Sequence, residues 1–238
     1  MKTIALIIAG GSGARMHQDI PKQFLTVNEK PVIIYTLEAF EKHPEIDSIA
    51  VVCIAGWEQV LQAYAKQFNI TKLKHIIKGG VQGQDSIRNG ITELSNHYDH
   101  DDIVMIHDAI RPMISAEIIS DSIRVTKLFG NATAAIPCAE AMIETEDGNS
   151  STGSYPRSKL KRAQTPQSFR IGDLLDLHKK ALEAGITNSV ASCTLMIEMG
   201  REIFFSAGSE KNLKLTTIDD IDIFKALLAS KRSEWLKQ

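Results

Sequence analysis

Short apolar runs alternate with segments of helical period along nearly the whole chain, and few architectures accommodate that pattern. Runs at 3–9, 48–54, 73–77, 103–106, 132–137 and 202–206 read as strands. Between them Trp57, Val60, Leu61, Tyr64 and Phe68 recur as one helix face would, as do Ile87, Ile91 and Leu94. Alternation of this kind is the mark of β-α-β units and predicts an α/β fold, a mostly parallel sheet with helices on both faces. The last helix is marked by Thr217 three residues before Asp220, an N-cap pair, and by an apolar stripe of Ile221, Phe224, Leu228 and Trp235. It is expected to pack on the sheet and close the fold.

The 238 residues suffice for one domain, 1–238, with its own core and no disulfide staples. A formal net charge of −2 and scattered basic residues, Lys159, Lys161 and Arg162 apart, argue against a nucleic-acid partner and for a small anionic substrate. The three cysteines, Cys53, Cys138 and Cys193, are far apart and lack C-x-x-C spacing. They suggest a reducing compartment, with no disulfide and no structural metal. No run approaches membrane-span length and the N-terminus leads straight into a strand, so the expected location is cytoplasmic, away from membranes.

One stretch breaks the rhythm. Residues 138–161 are polar and of low complexity, with Asp147-Gly148 as a hairpin signal. They are expected to form a protruding β-arm inserted in the sheet domain. An arm too small to bury a core of its own does so against a partner subunit, so a homodimer through this arm is expected.

The chemistry concentrates where strands run into glycine. Leu6 to Gln23 reads L-I-I-A-G-G-S-G-A-R-M-H-Q-D-I-P-K-Q. Gly10, Gly11 and Gly13 let the backbone approach a ligand with its N–H groups exposed, next to Ala9, and Arg15 and Lys22 supply positive charge for a polyphosphate. The run is neither the Walker pattern nor the full dinucleotide fingerprint, because Arg15-Met16 stands where the last glycine would be. A second glycine-rich junction, G-G-V-Q-G-Q-D-S-I, offers Gly80, Asp85 and Ser86 either as a helix cap or as readers of a base edge. His107-Asp108-Ala109-Ile110-Arg111-Pro112 follows an apolar strand and places Asp108 and Arg111 beyond its carboxyl end, where α/β sheets bind ligands. Asp108 suits Mg²⁺ and Arg111 suits a phosphate. Phosphoryl transfer onto an ionised phosphate needs no base, so His107 reads as a local hydrogen-bond partner. The run His97-Tyr98-Asp99-His100-Asp101-Asp102 reads as a solvated loop and is assigned no site.

Taken together, G-G-S-G-A-R-M with P-K-Q-F, G-G-x-x-x-x-D-S-I, H-D-A-I-R-P, R-S-K-L-K-R-A-Q-T-P-Q-S-F and N-L-K-L-T-T-I-D-D resemble the polyol-phosphate cytidylyltransferases, over nearly the whole chain and in one order. The resemblance implies a Rossmann-like nucleotidyltransferase fold, CTP as donor, Mg²⁺ or another divalent cation, pyrophosphate release and a dimer locked by the arm. It makes Arg15, Lys22 and Lys214 the catalytic cations around the α-phosphorus. Gly80, Asp85 and Ser86 would read cytosine, and Asp108, Arg111 and Thr165 would meet the metal and the polyol phosphate. Arg157, on the arm, would reach the neighbouring subunit's site.

Three positions depart from the family pattern: Gly83 stands where an arginine is usual, Glu140-Ala141 replaces Asp-Thr, and 189–194 replaces a Thr-Asp pair that Thr187-Asn188 is too far upstream to supply. The nucleotide half is kept better than the acceptor half, which favours an altered acceptor. Ribitol 5-phosphate or a similar alditol phosphate is the expected acceptor, with 2-C-methyl-D-erythritol 4-phosphate the alternative. A nucleotide sensor without turnover is disfavoured by the retained cations. A nicotinamide dehydrogenase is disfavoured because Val52-Cys53-Ile54-Ala55 offers no acidic ribose ligand.

Overall fold

The computed structural model describes residues 1–11 and 20–235, with side chains through residue 230. Eleven strands and seven α-helices are present among them: β1 (Thr3–Ala9), β2 (Thr26–Val27), β3 (Lys30–Pro31), α1 (Val32–Lys42), β4 (Ser48–Cys53), α2 (Glu58–Gln67), β5 (Leu73–Lys78), α3 (Gly83–Ser95), β6 (Ile103–Asp108), α4 (Ala116–Phe129), β7 (Asn131–Pro137), β8 (Met142–Glu144), β9 (Gly153–Tyr155), β10 (Lys161–Arg170), α5 (Ile171–Glu183), α6 (Ser192–Glu198), β11 (Phe205–Ala207) and α7 (Ile218–Trp235). A seven-stranded sheet has the order β11-β7-β10-β6-β1-β4-β5. β1 pairs in parallel with β4 and β6, and β4 with β5.

Each central strand is buried on both faces, so alternate residues feed two separate cores. Ala5, Ile7 and Ala9 of β1 join Ile33, Leu37 and Phe40 of α1, Leu61 of α2 and Ile119 of α4. Ile4 and Leu6 point the other way, into Ile91 of α3, Leu174 and Leu177 of α5, and Leu195 of α6. Helices therefore cover both faces, and Gly90 is needed at the α3 crossing because a Cβ there would lie 2.8 Å from Leu6 Cδ2 and 2.9 Å from Val52 Cγ2.

Two expectations need correction. The sheet carries an antiparallel strand absent from the sequence reading: β10 lies between β6 and β7 and is antiparallel to both. Pro166 and the polar side chains of Gln164 and Gln167 hide it in the sequence, and the register shifts between Ala163 and Gln167. α7 does begin with the expected Thr217–Asp220 box, Thr217 N–H donating to Asp220 Oδ2 at 2.8 Å and Asp220 N–H to Thr217 Oγ1 at 3.3 Å. Its Phe224, however, packs with Val27, Val32, Ile110, Met113 and Leu215 rather than on the main sheet.

Residues 138–161 hold the hairpin β8–β9, paired antiparallel as its own two-stranded sheet. Gly148 takes φ +74° in its turn, and Asp147 Oδ1 accepts the N–H groups of Asn149 and Ser150. Those bonds hold the Asp147 carboxyl at a pKa of about 2. Met142, Ile143 and Tyr155 of this hairpin are exposed. Among the described residues no helix is long and apolar enough to cross a membrane.

Candidate active site

The carboxyl ends of β1 and β6 open into a cleft of about 450 Å³, which Ala9, Gly11, Lys22, Asp108, Arg111, Thr165 and Lys214 all line. These residues come from five separate stretches of sequence. Gln23, fully covered, ties two of those stretches together: its Nε2 donates to the carbonyls of Ala9 (2.7 Å) and Gly11 (3.0 Å), which fixes the start of the glycine-rich stretch against the short 3-10 turn Lys22–Phe24. Gly13 and Arg15 lie outside the described residues.

Asp108 is the one carboxylate among the described cleft-lining residues, and three cations, Lys22, Arg111 and Lys214, share the cleft with it. Arg111 Nε is 3.0 Å from Asp108 Oδ2, and Lys214 Nζ is 3.2 Å from the same oxygen. Burial alone would raise the Asp108 carboxyl, but Lys214 and Arg111 hold it below the ordinary carboxylate range. Arg111 is itself anchored, its Nη1 donating to the Asn212 carbonyl at 2.7 Å. Asn212, fully buried, donates Nδ2 to the Thr165 carbonyl at 2.8 Å.

His107 lies beneath these groups with no exposed surface. Its Nε2 is 3.2 Å from the Arg111 carbonyl oxygen, which can only accept, so Nε2 carries the proton. Nδ1 then accepts from the Thr165 hydroxyl at 3.1 Å, and Thr165 Oγ1 in turn accepts the Asp108 N–H at 3.1 Å. Burial pushes the imidazole pKa down to about 4, so His107 is a neutral brace of fixed tautomer, as expected of a residue that is not a base.

The second glycine junction abuts the first. Ser86 Oγ accepts the Gly80 N–H at 3.0 Å, and a Cβ on Gly10 would come within 3.1 Å of the same oxygen. Asp85 is committed elsewhere: its Oδ2 accepts the Gln82 N–H at 3.2 Å, capping α3, and its Oδ1 pairs with Arg88 at 2.6 Å. The capping alternative therefore accounts for Asp85. A Cβ on Gly80 would sit 2.3 Å from Asp85 Cβ and 2.8 Å from the Asp85 carbonyl carbon. Gly80→Ala must therefore push this turn outward. Gly83 faces open space.

Arg157 does not line this cleft. It is exposed on the turn after β9, where its Nη1 donates to the Ala139 carbonyl at 3.3 Å.

One wall was not legible beforehand. Residues 189–194, singled out only as a departure from the family, line the cleft together with Thr165 and Lys214. Two buried glutamines position it. Gln84 donates Nε2 to the Ile186 carbonyl at 2.9 Å and accepts the Ser189 N–H at 2.6 Å. Gln167 accepts the Cys193 N–H at 3.0 Å. The three cysteines are free and buried, and burial raises the Cys53 thiol to about 12 and holds Cys193 above its ordinary range, so neither is a nucleophile at neutral pH.

An α/β cleft with glycine turns, three cations and one carboxylate defines a nucleotidyltransferase site. The family model described as IspD, 2-C-methyl-D-erythritol 4-phosphate cytidylyltransferase, matches residues 3–230, and the chain belongs to that family. Among its relatives, the ribitol-5-phosphate cytidylyltransferase of Lacticaseibacillus paracasei is 42% identical over 229 residues, 95% of this chain and 98% of that protein. The 2-C-methyl-D-erythritol 4-phosphate cytidylyltransferase of Geotalea uraniireducens is 34% identical over 235 residues, 98% of this chain and 100% of that protein. The solved structure of the Francisella tularensis 2-C-methyl-D-erythritol 4-phosphate cytidylyltransferase superposes with a TM-score of 0.79 at 26% identity, over 94% of this chain and 98% of that one.

Proposed function

We propose that this cytidylyltransferase moves the cytidylyl group of CTP onto the phosphate of an alditol phosphate, ribitol 5-phosphate in the first instance. A phosphate oxygen of the acceptor attacks the α-phosphorus in line, the bond from that phosphorus to the oxygen bridging it to the β-phosphorus breaks, that oxygen departs with pyrophosphate, and CDP-ribitol is released. The observation that carries the reading is the set of cations in the cleft at the strand ends, Arg111 and Lys214 paired with Asp108 and Lys22 lining the same space. They suit charge developing on the transferred group, with positioning and electrostatics as the main sources of rate. Arg15, by its place in the glycine-rich sequence, is proposed to join them. Gly10, Gly11, Gly80 and Ser86 provide backbone and hydroxyl groups for the nucleotide.

A lone carboxylate among cations fits a Mg²⁺ ion that takes most of its ligands from phosphate oxygens and water. Asp108 would hold the ion once Lys214 turns to the phosphates, and the bound ion would neutralise phosphate charge. Arg111 and Thr165 orient the acceptor, and the 189–194 wall selects it. The acceptor choice also rests on the higher identity to the ribitol-named relative, 42% against 34%. The family model's own name supports methylerythritol phosphate as a second reading. The exposed apolar residues of the β8–β9 hairpin support a homodimer in which Arg157 serves the partner's cleft, and CTP as donor fits a cytoplasmic enzyme. Sedimentation equilibrium checks the dimer: a monomer at micromolar concentration contradicts it.

Phosphorus NMR of CTP, Mg²⁺ and ribitol 5-phosphate with the enzyme tests the reaction. A diphosphodiester and an equal amount of pyrophosphate should appear; CTP left intact with this acceptor and with methylerythritol phosphate contradicts it. Gln84→Ala should loosen the wall through Ser189, raising the acceptor KM about tenfold with the CTP dissociation constant unchanged. Steady-state kinetics and CTP calorimetry separate the two, and a weaker CTP affinity would move Gln84 to the nucleotide site.

A further inference from the structure

The polar run at 97–102, which reads as a solvated loop, contains a residue the fold puts to other use. Asp102 is itself buried, its Oδ1 accepting the Lys2 N–H at 2.6 Å and its Oδ2 the Asp99 N–H at 3.1 Å, so it ties the run to the residue that precedes β1. His97 turns away from it. His97 Nε2 lies 3.1 Å from Glu93 Oε1, four residues earlier, and its ring stands 4.5 Å, centroid to centroid, from that of His75 on β5. One ligand atom from each of His75, Glu93 and His97 falls within 4.8 Å of the others.

We infer that His75, Glu93 and His97 form a second metal site, remote from the catalytic cleft, for a transition-metal ion of the Zn²⁺ or Ni²⁺ class. Two imidazoles and one carboxylate are the donor set such ions prefer, whereas Mg²⁺ favours all-oxygen coordination, so the two sites sort metals by chemistry. Metal–ligand bonds of about 2.0–2.2 Å require the three donors to draw together by roughly an ångström, which side-chain rotation supplies because Glu93 and His97 are each 44% exposed. An outer partner is already in place: Tyr98 Oη, held by Ser48 Oγ at 2.8 Å, is 3.4 Å from His75 Nε2 and steadies that ring.

The location gives the site a structural consequence. β5 is an edge strand of the sheet, and Glu93 and His97 flank the carboxyl end of α3. A bound ion staples the edge to the helix that follows it, while the Gly79–Gly80 turn at the other ends of both elements stays open to nucleotide.

The test is Zn²⁺ uptake by the full chain in the presence of millimolar Mg²⁺, followed by calorimetry and thermal unfolding. Wild type should take up one Zn²⁺ per chain and gain about 3–8 °C in Tm at saturation. His75→Ala and His97→Asn should each lose the uptake and the gain while unfolding at the metal-free wild-type temperature. Because two single variants on different elements are used, a folding defect in one leaves the other as the readout. No uptake by wild type, or uptake equal in wild type and both variants, overturns the site.

Discussion

Lys214→Ala should lower kcat/KM for pyrophosphate release from CTP by about a hundred- to a thousand-fold, the loss typical of a group aimed at charge developing in the transition state. The lysine is not a loosely placed surface cation. It sits between Asn212, fully buried and bonded to Thr165, and Leu215, whose N–H donates to the Ile110 carbonyl at 2.9 Å. The backbone on either side is thus pinned to the two segments that carry Asp108, Arg111 and Thr165. Its Nζ can pivot from Asp108 to a phosphate oxygen without moving that backbone. If it acts on the transition state, most of the loss falls on kcat, with KM for CTP changed little. Lys211→Ala, an exposed neighbour three residues away, should leave both constants unchanged. Steady-state kinetics with coupled pyrophosphate detection decides it; a Lys214→Ala enzyme within threefold of wild type would remove Lys214 from the chemistry.

The second large effect is acid destabilisation by buried histidines. His107 and His178 are 0% and 2% exposed, and burial pushes each to a pKa of about 4. An unfolded histidine titrates near 6.5, so between these values the unfolded chain binds protons that the folded chain excludes. A depressed histidine pKa therefore makes stability fall as pH drops from about 6.5 to about 4, by up to about 3 kcal/mol for each residue. His43 and His75, also lowered by burial, act in the same direction. Asp147, held at about 2 in the arm, contributes its loss only at lower pH, so the histidine window is separable. Neither ring nitrogen of His178 has a hydrogen-bond partner, so His178→Leu removes two orphaned polar atoms. It should unfold at a urea midpoint equal to or above wild type at pH 7 and lose clearly less stability on going to pH 4.5. Equal losses in variant and wild type would show that His178 does not titrate on unfolding.

β1, β4, β6 and β7 were legible because strands buried on both faces are apolar runs. β10 was not, since its polar residues are satisfied only by distant partners: Ser168 Oγ meets Ser122 Oγ at 2.7 Å, and Gln164 accepts the Ser209 N–H at 3.1 Å. The site divides in the same way. Asp108, Arg111 and Lys22 stand at strand ends or beside glycines and announce themselves. The 189–194 wall carries no local signal, because Gln84 and Gln167, far away in sequence, decide where it sits. Asp85 illustrates a limit of motif reading: the same residue suits a cap or a base contact, and only the Gln82 and Arg88 bonds show the cap. His97 illustrates another, its partners Glu93 and His75 lying outside the polar run that drew notice.

The acceptor is the point on which the account rests, and the measurement that tests it is kcat/KM for ribitol 5-phosphate and for methylerythritol 4-phosphate, side by side, at saturating CTP and Mg²⁺. A preference for ribitol 5-phosphate of at least about a hundredfold is expected, the discrimination that arises when a site built for one acceptor's hydroxyls leaves polar groups unpaired with the other. Equal values, or a preference for methylerythritol phosphate, would contradict it.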